Sequence, residues 1–276
     1  MEKVYTSRLA PVKLSQRVKL RERVIYYLPT GIIFVGVLVG WELLVRGFNI
    51  QKFLLPAPSA ILAAFLARFA QLMNVGMNTG FEALGGFAIG CSAGVIVAVL
   101  TARWTAARES LMPFAIAANS VPIIAFSPIM NNWFGLTNPL SKMMVAAIIT
   151  FFPMMINMVR GLTQVEPSAL ELMRASAASD FDILWKVRLP NSLPYIFNAL
   201  KVCSTLALIG AVVGEFFGGN AATLGQFIQE EAAVFRFENS WAAIIIACAM
   251  GIAFYLIILL LERAAIPWHA SVREGE

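Results

Sequence analysis

Charge and histidine are what this chain has least of. Only 13% of its 276 residues are Asp, Glu, Lys or Arg, about half the roughly 25% usual in a soluble domain. With 59% hydrophobic residues and a mean hydropathy of +0.75, there is too little polar side chain to cover a water-facing surface. A soluble globular enzyme is therefore excluded as the starting assumption. Lipid is the expected solvent for most of the chain. The single histidine, His269, lies seven residues from the C-terminus, so chemistry needing a membrane-buried imidazole or a histidine metal cluster has no candidate. Cys91, Cys203 and Cys248 sit in apolar stretches without paired spacing and read as buried, reduced thiols. A Gly-x-x-x-x-Gly-Lys-[Ser/Thr] loop is also missing, and with it the recognisable device for cradling nucleotide phosphates.

What is present is a series of apolar runs. A membrane span takes about 20 such residues, and six segments approach that length: 27–45, 81–100, 111–130, 143–159, 195–217 and 241–261. The third is the least regular, because Pro113, Pro122 and Pro128 remove backbone donors from it. With the N-terminus inside, fifteen Lys and Arg fall on the cytoplasmic side, against Arg46, Lys52, Arg68 and Arg236 outside; Lys142 and Lys201 sit at span edges. The positive-inside bias thus places both termini in the cytoplasm and explains the +5 net charge without nucleic acid. The first apolar run, about nineteen residues, exceeds the roughly 7–15 of a signal-peptide core, so a retained span after a basic tail is expected. After it, Leu55-Pro56-Ala57-Pro58 breaks the chain, and 59–72 reads as an amphipathic interfacial helix with Ile61, Leu62, Phe65 and Phe69 on one side.

Gly90-Cys91-Ser92-Ala93-Gly94 fits the Gly-x-Ser-x-Gly pattern of a hydrolase nucleophile elbow. That elbow needs a strand, a sharp turn and a histidine partner, whereas here the match lies within an apolar helix-length run. Gly86, Gly90 and Gly94 recur at spacing four and predict a smooth helix face for close packing. Glu42, Glu82 and Glu215 fall inside predicted spans, where an ionisable group is a functional suspect. Each lies within about a turn of the outer interface, where a carboxylate reaches water, so structural roles are expected. Asn119, Ser120, Asn131, Asn132, Trp133, Asn157, Ser204 and Thr205 are candidate polar liners of a path, with interhelical hydrogen bonding as the alternative.

The longest cytoplasmic connection, 160–191, carries the most information. Ser168-Ala169-Leu170-Glu171 after Pro167 predicts a capping box and a helix to about Ala178; Ser179 or Asp180 caps a second short helix, which Pro190 ends. Two short helices with exposed apolar sides predict a protein partner.

This segment resembles the "EAA" loop of binding-protein-dependent ABC importer permeases: Glu-Ala-Ala, three residues, Gly, nine residues, Ile-x-Leu-Pro. Glu171, Leu189 and Pro190 match, and Val187 replaces Ile conservatively; Leu172 and Met173 stand for the alanines and Ala177 for the glycine. At Ala177 a positive φ would be disfavoured. Leu55-Pro56-Ala57-Pro58-Ser59, Ser120-Val121-Pro122, Trp133-Phe134-Gly135, Phe152-Pro153 and Leu193-Pro194-Tyr195-Ile196 are similar to the nitrate, sulfonate and taurine type of permease. The runs at 131–139 and 160–163 look closest to relatives taking up riboflavin or pyrimidine precursors.

The resemblance implies an all-α membrane protein with six transmembrane helices, in the type I ABC importer permease fold with cytoplasmic coupling helices. It also implies a bacterial inner membrane. Its parts would be a basic cytosolic tail (1–23), the first span with an external interfacial helix (24–76), the permease core (77–262) and a cytosolic C-terminal tail (263–276). It further implies a non-enzymatic pore subunit with no cofactor of its own, ATP and Mg²⁺ belonging to separate ATPase subunits. An external solute-binding protein and a second permease copy complete the assembly. Glu171, Ala175, Ala177, Ser179, Leu189 and Pro190 would couple to the ATPase. The lack of a mid-span cation favours a neutral or heteroaromatic solute. The competing class is a proton-coupled secondary transporter using Glu42, Glu82 or Glu215.

Overall fold

The computed structural model describes residues 16–102, 104–219 and 222–267; the basic residues 1–15 and His269 lie outside that range. Among the described residues all regular structure is helical: α1 (Gln16–Gly47), α2 (Pro58–Ala67), α3 (Phe69–Ala102), α4 (Thr105–Ala118), α5 (Phe126–Phe134), α6 (Pro139–Thr163), α7 (Pro167–Ala175), α8 (Asp180–Ile183), α9 (Leu189–Phe216), α10 (Leu224–Ala233) and α11 (Phe237–Ala265). The chain divides at Ala60/Ile61 into two compact units.

In the first unit, α1 exposes apolar side chains such as Ile33, Phe34, Val37 and Leu43, the surface expected of a helix solvated by lipid. Its last turn is tied to the start of α2. The Glu42 carboxylate accepts from Arg46 Nε at 2.5 Å, Ser59 Oγ at 2.7 Å and the Ser59 backbone N–H at 3.0 Å. Those partners assign Glu42 to closing the Phe48–Ala57 connection and capping α2, a structural duty.

In the second unit α6 is the axis, with α3 on one side and α9 on the other. Small residues let the backbones meet. Cβ atoms added at Gly86, Gly90 and Gly94 of α3 would lie 2.4 Å from Ala146 Cβ, 2.3 Å from the Ala147 carbonyl and 2.8 Å from the Phe151 carbonyl. On the far side, one at Gly210 of α9 would lie 2.8 Å from Ala146 Cα. Leu72, Val75, Leu224, Phe227 and Ile246 close the packing of α3, α10 and α11, and Ala98, Ala115, Met155, Met158 and Leu162 that of α3, α4 and α6.

Several expectations need correction. Five single helices are long and apolar enough to cross a membrane among the described residues. The third expected span is two shorter helices: α4 stops at Ala118, Asn119 to Val121 turn, and a 3-10 turn over Ile123–Ala125 leads into α5. Pro122 supplies no N–H and restricts Val121, so the helix cannot run through. The second span is longer than expected, because α3 starts at Phe69 and absorbs the end of the anticipated 59–72 helix. Leu62 is exposed while Ile61 is buried. Cys91 and Cys203 are buried free thiols, but Cys248 is exposed on the outer surface of α11.

Candidate functional site

The connection between α6 and α9 is pinned at its base. Asn191 donates from Nδ2 to the Gly161 carbonyl at 2.9 Å and the Gln164 carbonyl at 3.0 Å. A Cβ on Gly161 would meet Ser192 Cα at 2.7 Å, so α6 and α9 touch backbone to backbone where the loop leaves them.

The predicted capping box does not form. Helix α7 begins at Pro167 with Glu166 in the N-cap position and no side-chain cap. Proline's fixed φ already suits the first turn and its missing N–H is one the helix does not need there. The helix ends at Ala175, earlier than the expected Ala178. Ala178 N–H then reaches the Met173 carbonyl and Ala177 N–H the Arg174 carbonyl, each at 3.0 Å, the paired bonds of a Schellman ending. Ala177 adopts φ +52°. Alanine therefore occupies a left-handed position that glycine fills without steric cost, at an expense of about 1–2 kcal/mol.

Ser179 caps α8, accepting from Asp182 N–H at 3.2 Å and donating to Asp182 Oδ2 at 2.5 Å. Lys186 adds an ion pair to Asp182 at 2.6 Å. Pro190 does not end this helix. A π-helical turn over Leu184–Arg188 carries the chain into α9, with Leu189 N–H bonded to the Leu184 carbonyl and Pro190 in the first turn of α9. Such widened turns concentrate at functional positions. The surface that results is apolar: Leu172 and Phe181 are each 68% and Trp185 is 55% exposed, and the Phe181 and Trp185 rings lie 5.9 Å apart. Glu171, Ala175, Ala177, Ser179 and Pro190 are exposed and Leu189 half-buried on the same loop.

The suggested path residues do not converge. Asn157, Ser204 and Thr205 each donate to a carbonyl of their own helix, Ser120, in the turn after α4, donates back to the Ile116 carbonyl, and Asn119, Asn132 and Trp133 are exposed. Asn131 is different. Buried in α5, it donates to the Phe217 carbonyl at 3.0 Å and accepts from Lys142 Nζ at 3.2 Å.

Lys142 is the residue sequence reasoning undervalued. It is 1% exposed in the first turn of α6, and its ammonium also donates to Ser141 Oγ at 2.9 Å and to the Leu136 carbonyl. Glu82 of α3 and Glu215 of α9 are 5% and 0% exposed, so neither reaches water as expected. Glu215 Oε2 accepts the Gly225 N–H at 2.6 Å, and Thr79 Oγ1 accepts the Leu224 N–H at 2.9 Å; α9 and α3 thus satisfy two donors in the first turn of α10. This polar cluster sits at the end of α6 remote from the loop. Elsewhere Lys201 of α9 pairs with Glu262 of α11 at 2.8 Å.

Residues 90–267 match the family described as binding-protein-dependent transport system inner membrane component. The chain belongs to this family. The matched region of this ABC transporter permease includes the loop, Lys142 and Glu215, and starts after Glu82. Over 240 residues it is 30% identical to the riboflavin transport system permease protein RibX of Chloroflexus aurantiacus, covering 85% of this chain and 87% of the relative. It is 28% identical over 238 residues to the formylaminopyrimidine transport permease protein ThiX of Halalkalibacterium halodurans, covering 86% and 94%. A crystal structure of a bacterial ABC transporter for the acidic polysaccharide alginate aligns with a TM-score of 0.60 at 13% identity, over 89% of this chain and 99% of the other. At that identity the likeness shows the fold alone. The homologues are permease subunits, and this chain is a membrane-embedded permease with several apolar helices.

Proposed function

We propose that this permease is the transmembrane subunit of an ATP-driven importer. In this reading it sits in a bacterial inner membrane with both termini cytoplasmic and works with a second permease copy. It receives a small solute from an external binding protein and docks two ATPase subunits on the loop between α6 and α9. The observation that carries the reading is the apolar surface of that loop: Leu172, Phe181 and Trp185 project from short helices held by a Schellman ending, a Ser179 cap and a π turn. Ordered backbone beneath exposed aromatics is what a protein partner uses as an anchor. ATP and Mg²⁺ belong to the partner. This chain supplies a path and a lever, as Glu171, Ala175, Ala177, Ser179, Leu189 and Pro190 ride with the docked subunit.

For the solute, a riboflavin-like or pyrimidine-like compound is favoured over nitrate or sulfonate. Lys142, at the edge of its span, is buried, and protein acceptors occupy its ammonium, which leaves it no donor for an anion. An apolar recess of about 350 Å³ beside Phe126, Phe151 and Phe152 suits a flat ring, and two relatives are named for such compounds.

The test is co-expression with an ABC ATPase subunit from the same organism. Wild type should co-purify with the ATPase, whereas Ala177→Arg, which places a long cation at a close approach, should be monodisperse yet lose it. Ala177→Gly, which keeps the backbone shape, should retain it. Normal uptake by Ala177→Arg, or uptake driven by a proton gradient without any ATPase, would refute the assignment.

A further inference from the structure

The first unit carries a recess of about 460 Å³ at the C-terminal end of α1, lined by Val45, Arg46, Asn49, Ile50, Lys52 and the start of α2. Its depth in a bilayer follows from the helix before it. The apolar stretch Leu28–Gly47 has 20 residues, which at about 1.5 Å each cross about 30 Å, the thickness of the hydrocarbon. Residues directly after it lie among lipid headgroups. The backbone there is held by local hydrogen bonds: Ile50 N–H reaches the Val45 carbonyl at 3.0 Å and Asn49 N–H the Arg46 carbonyl at 3.3 Å. This is a Schellman ending, with Asn49 left-handed at φ +51°. Leu54 and Leu55 N–H then share the Gln51 carbonyl in a further turn, and Arg46, Asn49 and Lys52 come to line one recess.

The charges around the recess do not cancel. Arg46 is fixed by Glu42 Oε1 at 2.5 Å and by Ser59 Oγ at 3.2 Å, bonds that use only two of its five N–H groups. Lys52 has no acidic partner among the described residues. With Glu42 set against Arg46, one positive charge is left over, which a single phosphodiester balances. The rest of the lining, Val45, Ile50, Ala57 and Ala60, is apolar. A free phosphate ion would leave those side chains uncovered. A phospholipid lays its glycerol carbons on them, and its acyl chains continue along the exposed apolar face of α1, at Leu43 and Leu44.

We propose that this recess binds the headgroup of an anionic phospholipid, with Arg46 and Lys52 on the phosphate and Asn49 on the headgroup hydroxyls. Bound there, the lipid anchors the Phe48–Ala57 connection in the headgroup layer. The site needs neither an ATPase nor a solute, and it stands whichever leaflet holds this end of α1.

The experiment titrates the full chain in detergent with dioleoylphosphatidylglycerol or dioleoylphosphatidylcholine and counts bound lipids by native mass spectrometry. Wild type should take up its first phosphatidylglycerol well before any phosphatidylcholine. Lys52→Gln should weaken that first binding about fivefold and Lys52→Glu more than about tenfold, the scale of one basic side chain lost or reversed at a lipid surface, while Lys52→Arg binds as wild type. Ala60→Leu fills the recess without altering a charge and should lose the first phosphatidylglycerol, which a merely diffuse attraction to basic residues would not. Lys52 is exposed, so its variants keep the fold and test the site independently of Ala60→Leu. Excess inorganic phosphate at constant ionic strength should leave the lipid in place. Equal affinity for the two lipids, unchanged phosphatidylglycerol binding in Lys52→Glu or in a folded Ala60→Leu, or displacement by phosphate would overturn the proposal, the last marking a free-anion site. None of these measurements involves an ATPase, so their failure is distinguishable from failure of the co-purification test.

Discussion

Gly90→Ala adds one methyl at the tightest crossing in the core. The new carbon would start 2.2 Å from Thr150 Oγ1, 2.3 Å from the Ala147 carbonyl and 2.9 Å from Ala147 Cα. Restoring van der Waals contact at roughly 3.5 Å requires α3 and α6 to part by about 1 Å. Thr150 can turn its hydroxyl, but the Ala147 carbonyl is helix backbone. Recoil of α6 is opposed from behind, where Gly210 of α9 leaves no spare room against Ala146. Overpacking of this kind costs about 1–3 kcal/mol, and backbone obstruction on two sides puts Gly90 at the upper end. Replacing a helical glycine by alanine returns up to about 1 kcal/mol, so the net destabilisation is about 2 kcal/mol, or roughly 4–8 °C in melting temperature. Gly36 is the control: nothing lies within 4 Å of its added Cβ, and Gly36→Ala should be neutral or slightly stabilising. Thermal unfolding of both variants in detergent or nanodiscs reads the difference directly. If Gly90→Ala melted with Gly36→Ala, the backbone contact inferred between α3 and α6 would be wrong.

Ala177→Gly should relieve the left-handed strain after α7 and stabilise that ending by about 1 kcal/mol, seen as slower hydrogen exchange of the Ser176 to Ala178 amides; unchanged or faster exchange would contradict it. For topology, cysteines placed at Met73 and Glu230 should react with an impermeant thiol reagent from outside, while those at Lys13 and Ser271, both in the undescribed ends, should not. The reverse pattern would invert the orientation.

How much could be read from the chain depends on the distance over which each signal acts. The glycine spacing of α3 is a local repeat, and a helix turns any four-residue repeat into a face. The loop motif is likewise local, since Ser179 and Asp182 cap each other within three residues. The proline-rich third segment showed a weakness without its outcome: three prolines mark irregularity, but which one stops the helix depends on what packs around it. Pro113 sits inside α4 and Pro128 inside α5, whereas Pro122 falls at the break. The capping box failed because Pro167 offered a competing start that needs no side chain. The polar cluster was hidden for a different reason. Glu82, Lys142 and Glu215 are separated by sixty and seventy-three residues and come from three helices, and Lys142 looks like an interfacial anchor when read alone. Only tertiary packing reveals that its ammonium turns inward.

The interlock of α3, α6 and α9 also decides what kind of movement is open to this permease. Helices that slide past one another do so over side chains that can change rotamer, the shear mode of rearrangement. Here the glycine face leaves backbone against backbone, and a displacement of one residue along α3 would drive Phe87, Cys91 or Val95 into space that admits no side chain. The three helices must travel as one solid body. Any change of shape is then confined to hinges outside it, and the turn between α4 and α5, where Pro122 has already broken the helical hydrogen bonding, is the place in the core where the chain can bend without first undoing a packed contact.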